Sequence, residues 1–307
     1  MTAHQPQAQQ PAAPVGTIHD LGYRRYLGTR RGQNSRWQVI AIQQFRAGWK
    51  GFWRFKSPLL LAVINTVFWL AVMTAAPAWL TRVANEASGG RVHDAIAVIA
   101  SQMYLIPAVI LSLTLGSGIV AGDRACGAFP FYFSRPVRAR DYALGKLLGL
   151  SAMFALLLIV GPLIIGLVRI GLNAGSPEGR MDHILSVPKL LAVNTLVTMT
   201  MAAVPLAFSS LISRRRYAIA VFAAYWFVGG GIASGLGAAT GLPIGALSLG
   251  NATQSITQWV LAVPMTDAGQ PPASWSLLSL GGHLLAAVAI VAWRISAARR
   301  SGLGSSS

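Results

Sequence analysis

The sequence predicts an all-α integral membrane protein of six transmembrane helices, with an N-terminal interfacial amphipathic helix and re-entrant outer helices between spans five and six. Three observations predict it. Of 307 residues, 54% are hydrophobic and only 11% are charged, whereas soluble domains carry about a quarter charged residues, and the mean hydropathy is +0.54. Six apolar stretches, at 58–80, 96–121, 147–168, 190–212, 217–240 and 276–295, each reach the ~20 residues that cross a hydrocarbon core. Among Asp, Glu, Lys, Arg and His they enclose only His283 and, one residue from the end of the last stretch, Arg294.

In chain order, residues 1–35 open on QPQAQQPAAP and are too poor in apolar residues to order themselves, which predicts a disordered cytoplasmic tail. No uninterrupted apolar run precedes Ser57, so the first span is expected to serve as its own uncleaved signal. Residues 36–56 form the interfacial element. On a helical wheel Trp37, Ile40, Ala41, Phe45, Trp49, Phe52 and Trp53 share one face, and Arg36, Gln43, Arg46, Lys50 and Arg54 line the opposite stripe. Such a helix lies flat in the headgroup layer, with Trp37, Arg46, Trp49, Lys50 and Trp53 as interface anchors. The alternative is an ordinary surface helix of a small N-terminal domain. Residues 57–296 hold the six-span domain and 297–307 a second cytoplasmic tail. Within the domain, 241–275 is too apolar for a water-exposed loop, too short for two spans, and punctuated by Gly, Pro and Asn, a combination that fits a re-entrant pair of short helices.

Orientation follows from Lys and Arg. With the N-terminus inside, twenty of the 25 basic residues fall on the cytoplasmic side, and the five opposite (Arg82, Arg91, Arg169, Arg180, Lys189) are balanced by five acids. This asymmetry predicts both termini inside a cell (inner) membrane. It also explains the net charge of +17 by attraction to anionic membrane lipids, so nucleic acid is not an expected partner. The single cysteine, Cys126, excludes an internal disulfide. His4, His19, His93 and His183 stand at no ligand spacing, so no metal site is expected.

The stretch Gly122–Lys146 is the most informative. It sets seven charged residues, Asp123, Arg124, Arg135, Arg138, Arg140, Asp141 and Lys146, around an aromatic knot, Phe129-Pro130-Phe131-Tyr132-Phe133. Aromatic anchors rimmed by arginine suit a protein contact. Read without a partner, the knot is an interfacial aromatic belt and the cations are positive-inside anchors. No phosphate-cradling motif occurs: Gly145-Lys146 continues with Leu147 and lacks the upstream glycine.

The acidic-basic pair Asp123-Arg124 closing a span, the step Gly127-Ala128, Arg135-Pro136, then Asp141-Tyr142 and Leu144-Gly145-Lys146 opening the next span resemble the cytoplasmic loop of ABC-2 type transporter permeases. Position by position, Asp123, Gly127, Arg135, Pro136, Tyr142, Gly145 and Lys146 match the family pattern; Asp123 stands where Glu is commoner, and Pro130 is expected to break any helix beginning there. The resemblance implies a permease subunit, an exporter by family habit, paired with a second permease as homodimer or heterodimer and driven by two copies of a separate ATPase. By the same resemblance, ATP and magnesium are expected on that ATPase, and this chain is expected to bind no cofactor and not to be an enzyme. The coupling residues it implies are Asp123, Arg124, Gly127, Phe129, Phe131, Tyr132, Arg135, Pro136, Arg138, Tyr142 and Lys146. Asp123 is expected to cap a coupling helix, and Arg124 or Arg135 to meet partner acids. Spans without a buried acid or base would suit a lipid, an amphipathic drug or a peptide as substrate.

Other readings stand beside this one. A permease-like chain can act as a mechanical coupler without carrying solute. Ser234 and His283 lie six and seven residues from the outer ends of their spans, roughly 10 Å deep at ~1.5 Å per residue, which matches an intramembrane serine hydrolase. Ile232 stands where the elbow of such an enzyme needs glycine, and a neutral histidine bonded to a neighbouring helix competes with it. A non-catalytic membrane scaffold is the remaining class.

Overall fold

The structure, a computed structural model, describes residues 35–87, 92–133, 137–172, 177–263 and 270–304. The tail expected over 1–35 therefore lies almost wholly outside the described residues, as do Arg135 and Pro136. Among the described residues the chain is helical and has no strand. Six helices are long and apolar enough to cross a membrane: Phe52–Ala75, Val92–Ala125, Ala139–Leu172, His183–Leu211, Arg215–Thr240 and Ala273–Arg300. This is a multi-pass membrane protein.

The first helix, α1 (Arg36–Trp49), is shorter than the 36–56 expected. Gly51 is extended (φ −109, ψ 126), and a π-helical turn at Phe52–Lys56 then leads into α2 (Ser57–Ala75). The break changes which rings are covered. Phe52 and Trp53 become exposed, while Phe55 is fully buried and packs 5.2 Å from Trp49 and 6.3 Å from Phe45. Span one stops at Ala75 rather than at residue 80, because Ala76 precedes Pro77 and is held extended (ψ 139). A separate helix α3 (Ala78–Ala87) follows.

Proline also segments the next two spans. Span two comprises α4 (Val92–Met103), α5 (Leu105–Thr114), a 3-10 turn at Gly116–Gly118 and α6 (Ile119–Ala125). After the short α7 (Ala128–Phe133), span three comprises α8 (Ala139–Leu158) and α9 (Val160–Leu172). The seams at Tyr104 and Ile159 each lie three residues before a proline, Pro107 and Pro162, whose rings cannot extend the preceding hydrogen-bond ladder. Span four lies in α10 (Pro177–Leu211), which carries Pro188 and Pro205 internally. Span five is α11 (Arg215–Ala223), a π-helical stretch at Ala224–Gly229 and α12 (Gly230–Thr240). Left-handed Gly241 (φ 68) ends it. A 3-10 turn at Pro243–Leu247 and helix α13 (Leu249–Leu261) then precede the last span in α14 (Ala273–Gly304).

The core runs along α5, α8 and α10, where Leu111, Leu150, Phe154, Leu157, Val197 and Met201 are buried. Tyr104 is fully buried at the α4/α5 seam, its hydroxyl 2.6 Å from Thr66 of α2 and its ring against Gly161. The outer surface shows Val67, Phe68, Phe227, Ile232, Leu278 and Leu285, apolar residues that suit lipid contact. At the Gly116–Gly118 turn, Ser209 of α10 accepts hydrogen bonds from the Val120 and Ala121 amides, both 3.0 Å. It satisfies two of the donors that every helix start leaves open.

Candidate functional site

The connection between spans two and three starts at α6, which ends at Ala125. Gly127 is left-handed (φ 67) and turns the chain into α7. Pro130 does not break that helix, contrary to expectation. It is the third residue of α7, inside the first turn, where its missing amide would have had no intrahelical partner. Beyond the undescribed 134–136, the Asp141 carboxylate accepts the Arg138 amide at 3.2 Å and caps α8.

Asp123 does not cap α7. Its carboxylate accepts the Tyr142 hydroxyl at 2.6 Å and lies 2.8 Å from Lys146 Nζ, which also donates to Gln44 Oε1 at 3.0 Å. Tyr142 and Lys146 are buried, and the rings of Phe129, Tyr132 and Phe133 lie 5.6, 5.1 and 6.3 Å from that of Tyr142. Burial, more than the nearby Asp123 carboxylate and Cys126, raises the Tyr132 hydroxyl above its ordinary pKa, so it stays protonated at neutral pH. Spans two and three, α1 and α7 thus meet at one charge-paired latch. The expected coupling residues divide accordingly. Asp123, Tyr142 and Lys146 face inward and hold the connection; Phe129 and Tyr132 are half-buried against them. Phe131, 77% exposed, and the exposed Arg138 face outward, as does the neighbouring Arg140. Arg124 turns to α10 and donates to the Ser210 carbonyl at 3.1 Å.

Helix α1 reaches this latch because α8 carries glycine where the two helices cross. A Cβ at Gly145 would stand 2.6 Å from Ile40 Cβ, and one at Gly149 2.7 Å from the Ala41 carbonyl oxygen. Of the expected interface anchors, Arg46, Trp49, Lys50 and Trp53 are exposed, and Trp37 is half-buried with its carbonyl over Gly145.

At the opposite end of the bundle lies a feature that contradicts the expectation of spans without a buried acid or base. Asp94 of α4 and Arg169 of α9 are 2% and 1% exposed and pair at 2.7 Å. Arg169 also donates to Ser186 and to the His183 carbonyl of α10, and His183 Nδ1 is 3.8 Å from Asp94. Each residue borders an apolar run, so extending the uncharged windows by one turn would have enclosed both as intramembrane charges. Ser234 donates to the Gly230 carbonyl and accepts from Asn251, while His283 Nδ1 is 2.8 Å from the Ser279 carbonyl oxygen; hydroxyl and imidazole are not hydrogen-bonded to each other. Among the described residues no group of three or more His, Cys, Asp and Glu could hold a metal ion.

Comparison with known proteins finds no matching family model and no matching curated protein.

Proposed function

We propose that this chain is the permease subunit of an ABC-2 type ABC transporter, an exporter driven by a separate ATPase that docks on the 122–146 connection. The observation that carries the reading is α7: a short helix projecting from the end of two spans, locked to both through Asp123, Tyr142 and Lys146, and presenting Phe131 outward. A contact helix transmits motion only if it is rigidly joined to the elements it must move, and the latch supplies that joint. In this reading both termini and α7 face the cytoplasm. The 3-10 turn at Pro243–Leu247 and α13 form the re-entrant outer element, and α1 rides at the inner membrane surface. A second permease completes the pathway, and ATP on two partner ATPases shifts the population between inward-open and outward-open forms.

The test is affinity purification of the tagged full-length protein from its native membrane in mild detergent, followed by mass spectrometry of stoichiometric partners. Recovery of a phosphate-loop ATPase at about one copy per permease is expected, with its loss on Phe131→Ala combined with Arg135→Ala. A chain recovered without an ATPase, even after crosslinking, would overturn the proposal.

A further inference from the structure

We infer that the cavity between Arg124 and Arg294 binds the phosphate of a membrane phospholipid. This stands apart from the transport reading and needs no ATPase.

Arg124 of α6 and Arg294 of α14 converge on one acceptor. Arg124 Nη1 lies 3.1 Å and Arg294 Nε 3.5 Å from the Ser210 carbonyl oxygen, near the C-terminus of α10. Each guanidinium carries five donors and a full charge, and a single carbonyl with the partial charge of a helix end answers only a fraction of either. The acids whose side chains the structure describes are engaged elsewhere or belong to other helices. Asp94 pairs with Arg169, Asp123 with Lys146, Asp141 caps α8, and Glu86 belongs to α3. Among the described residues, no carboxylate forms an ion pair with Arg124 or Arg294.

Between the two guanidiniums lies a cavity of about 240 Å³, walled by Val120, Phe129 and Ile295. That is below the size that holds a drug-like ligand, and it suits a tetrahedral anion with a small substituent. Apolar walls strengthen the attraction between the guanidinium forks and phosphate oxygens. The height of the site favours a lipid as the source. The Arg294 guanidinium stands 5.5 Å over the ring of Trp293, which is 58% exposed on an apolar helix face. Exposed tryptophan beside arginine at the end of a span marks the membrane–water boundary, where lipid phosphates reside.

The experiment uses the delipidated full-length protein in detergent, with binding of phosphatidylglycerol counted by native mass spectrometry. One tightly retained lipid per chain is expected, its affinity weakened at least tenfold in R124Q/R294Q and unchanged in R299Q/R300Q, two exposed arginines near the same end of α14. Retention unaffected by R124Q/R294Q, or weakened equally by R299Q/R300Q, would overturn the assignment. Should the double variant fail to fold, the wild-type protein still decides. Phosphatidylglycerol is expected to raise its unfolding temperature, whereas diacylglycerol with the same chains and no phosphate is not; equal shifts overturn the proposal. Inorganic phosphate alone matching the lipid's effect would make the ligand a free anion and overturn the lipid assignment. Indifference to every phosphate probe, with loss of a co-purifying ATPase in R124Q/R294Q, would make the site a receptor for a partner carboxylate and overturn it as well.

Discussion

The Tyr142 hydroxyl donates to the Asp123 carboxylate across 2.6 Å, joining the last turn of the second span to the first turn of the third. Lys146, one turn further along α8, holds the same carboxylate at 2.8 Å and reaches Gln44 of α1. One half-buried acid therefore fastens three helices, and its partners are not equivalent. The lysine neutralises the charge, and the tyrosine orients it.

Removing these partners is expected to cost unequal amounts. Tyr142→Phe leaves the ion pair and loses one charge-assisted hydrogen bond, about 1.5 kcal/mol. Lys146→Met strands the carboxylate and costs roughly 2–4 kcal/mol, and the double variant D123N/K146M is milder than K146M alone. Thermal unfolding in detergent reads all three, and a double variant no milder than K146M would show that the charge pairing is not what stabilises the latch.

The contact of α1 with α8 depends on two absent side chains. Gly145→Ala and Gly149→Ala each place a methyl group within 2.6–2.7 Å of the facing helix. Overpacking of this kind costs about 1–3 kcal/mol. Release of α1 is expected to speed tryptic cleavage after Arg46 and Lys50. Gly166→Ala, where an added Cβ meets nothing within 4 Å, serves as the silent control.

At the opposite end, Arg169→Met leaves the Asp94 carboxylate buried without its cation and is expected to destabilise the bundle by roughly 3–5 kcal/mol. Replacing both, as D94N/R169M, restores much of that loss. Monodispersity on size-exclusion chromatography and the unfolding midpoint give the comparison.

Ser209→Ala withdraws the acceptor shared by the Val120 and Ala121 amides in a buried site, at a cost of about 2–3 kcal/mol. Thr195→Ala, which loses only an exposed bond to a carbonyl in its own helix, is expected to change stability by less than about 0.5 kcal/mol. Hydrogen exchange at Val120 and Ala121 should rise in the first variant and stay unchanged in the second.

The span count was legible because composition and length alone set it; 217–240 anticipates the helix Arg215–Thr240 to within two residues at each end. The segment boundaries in span two and span three were legible in principle from Pro107 and Pro162. Other features required contacts distant in sequence. Arg169 reads as a loop cation until Asp94, 75 residues earlier, is seen against it. Gln44 looks like an irregularity in an apolar face until Lys146, 102 residues later, supplies its partner. Within the candidate site, Phe131 is exposed. The inward turn of Tyr142 and Lys146 was hidden, because a charged residue at a span end looks the same whether it faces water or a carboxylate.

Span two is interrupted at Gly116–Gly118, and this sets its mechanics. The segment beyond the interruption, α6, has seven residues and a length of about 10 Å at ~1.5 Å rise per residue. A push at Phe131, if the proposed docking supplies one, would act on a short lever whose fulcrum is a glycine turn and whose fastener is the Ser209 hydroxyl. Tilt of that lever could be taken up at the fulcrum before the other two-thirds of the span, which packs Tyr104 against Gly161, begins to move. Under the proposed coupling, displacement at the Phe131 end and movement at the far end of the span would thus be separable events, with the strength of the Ser209 fastening setting how much passes from one to the other.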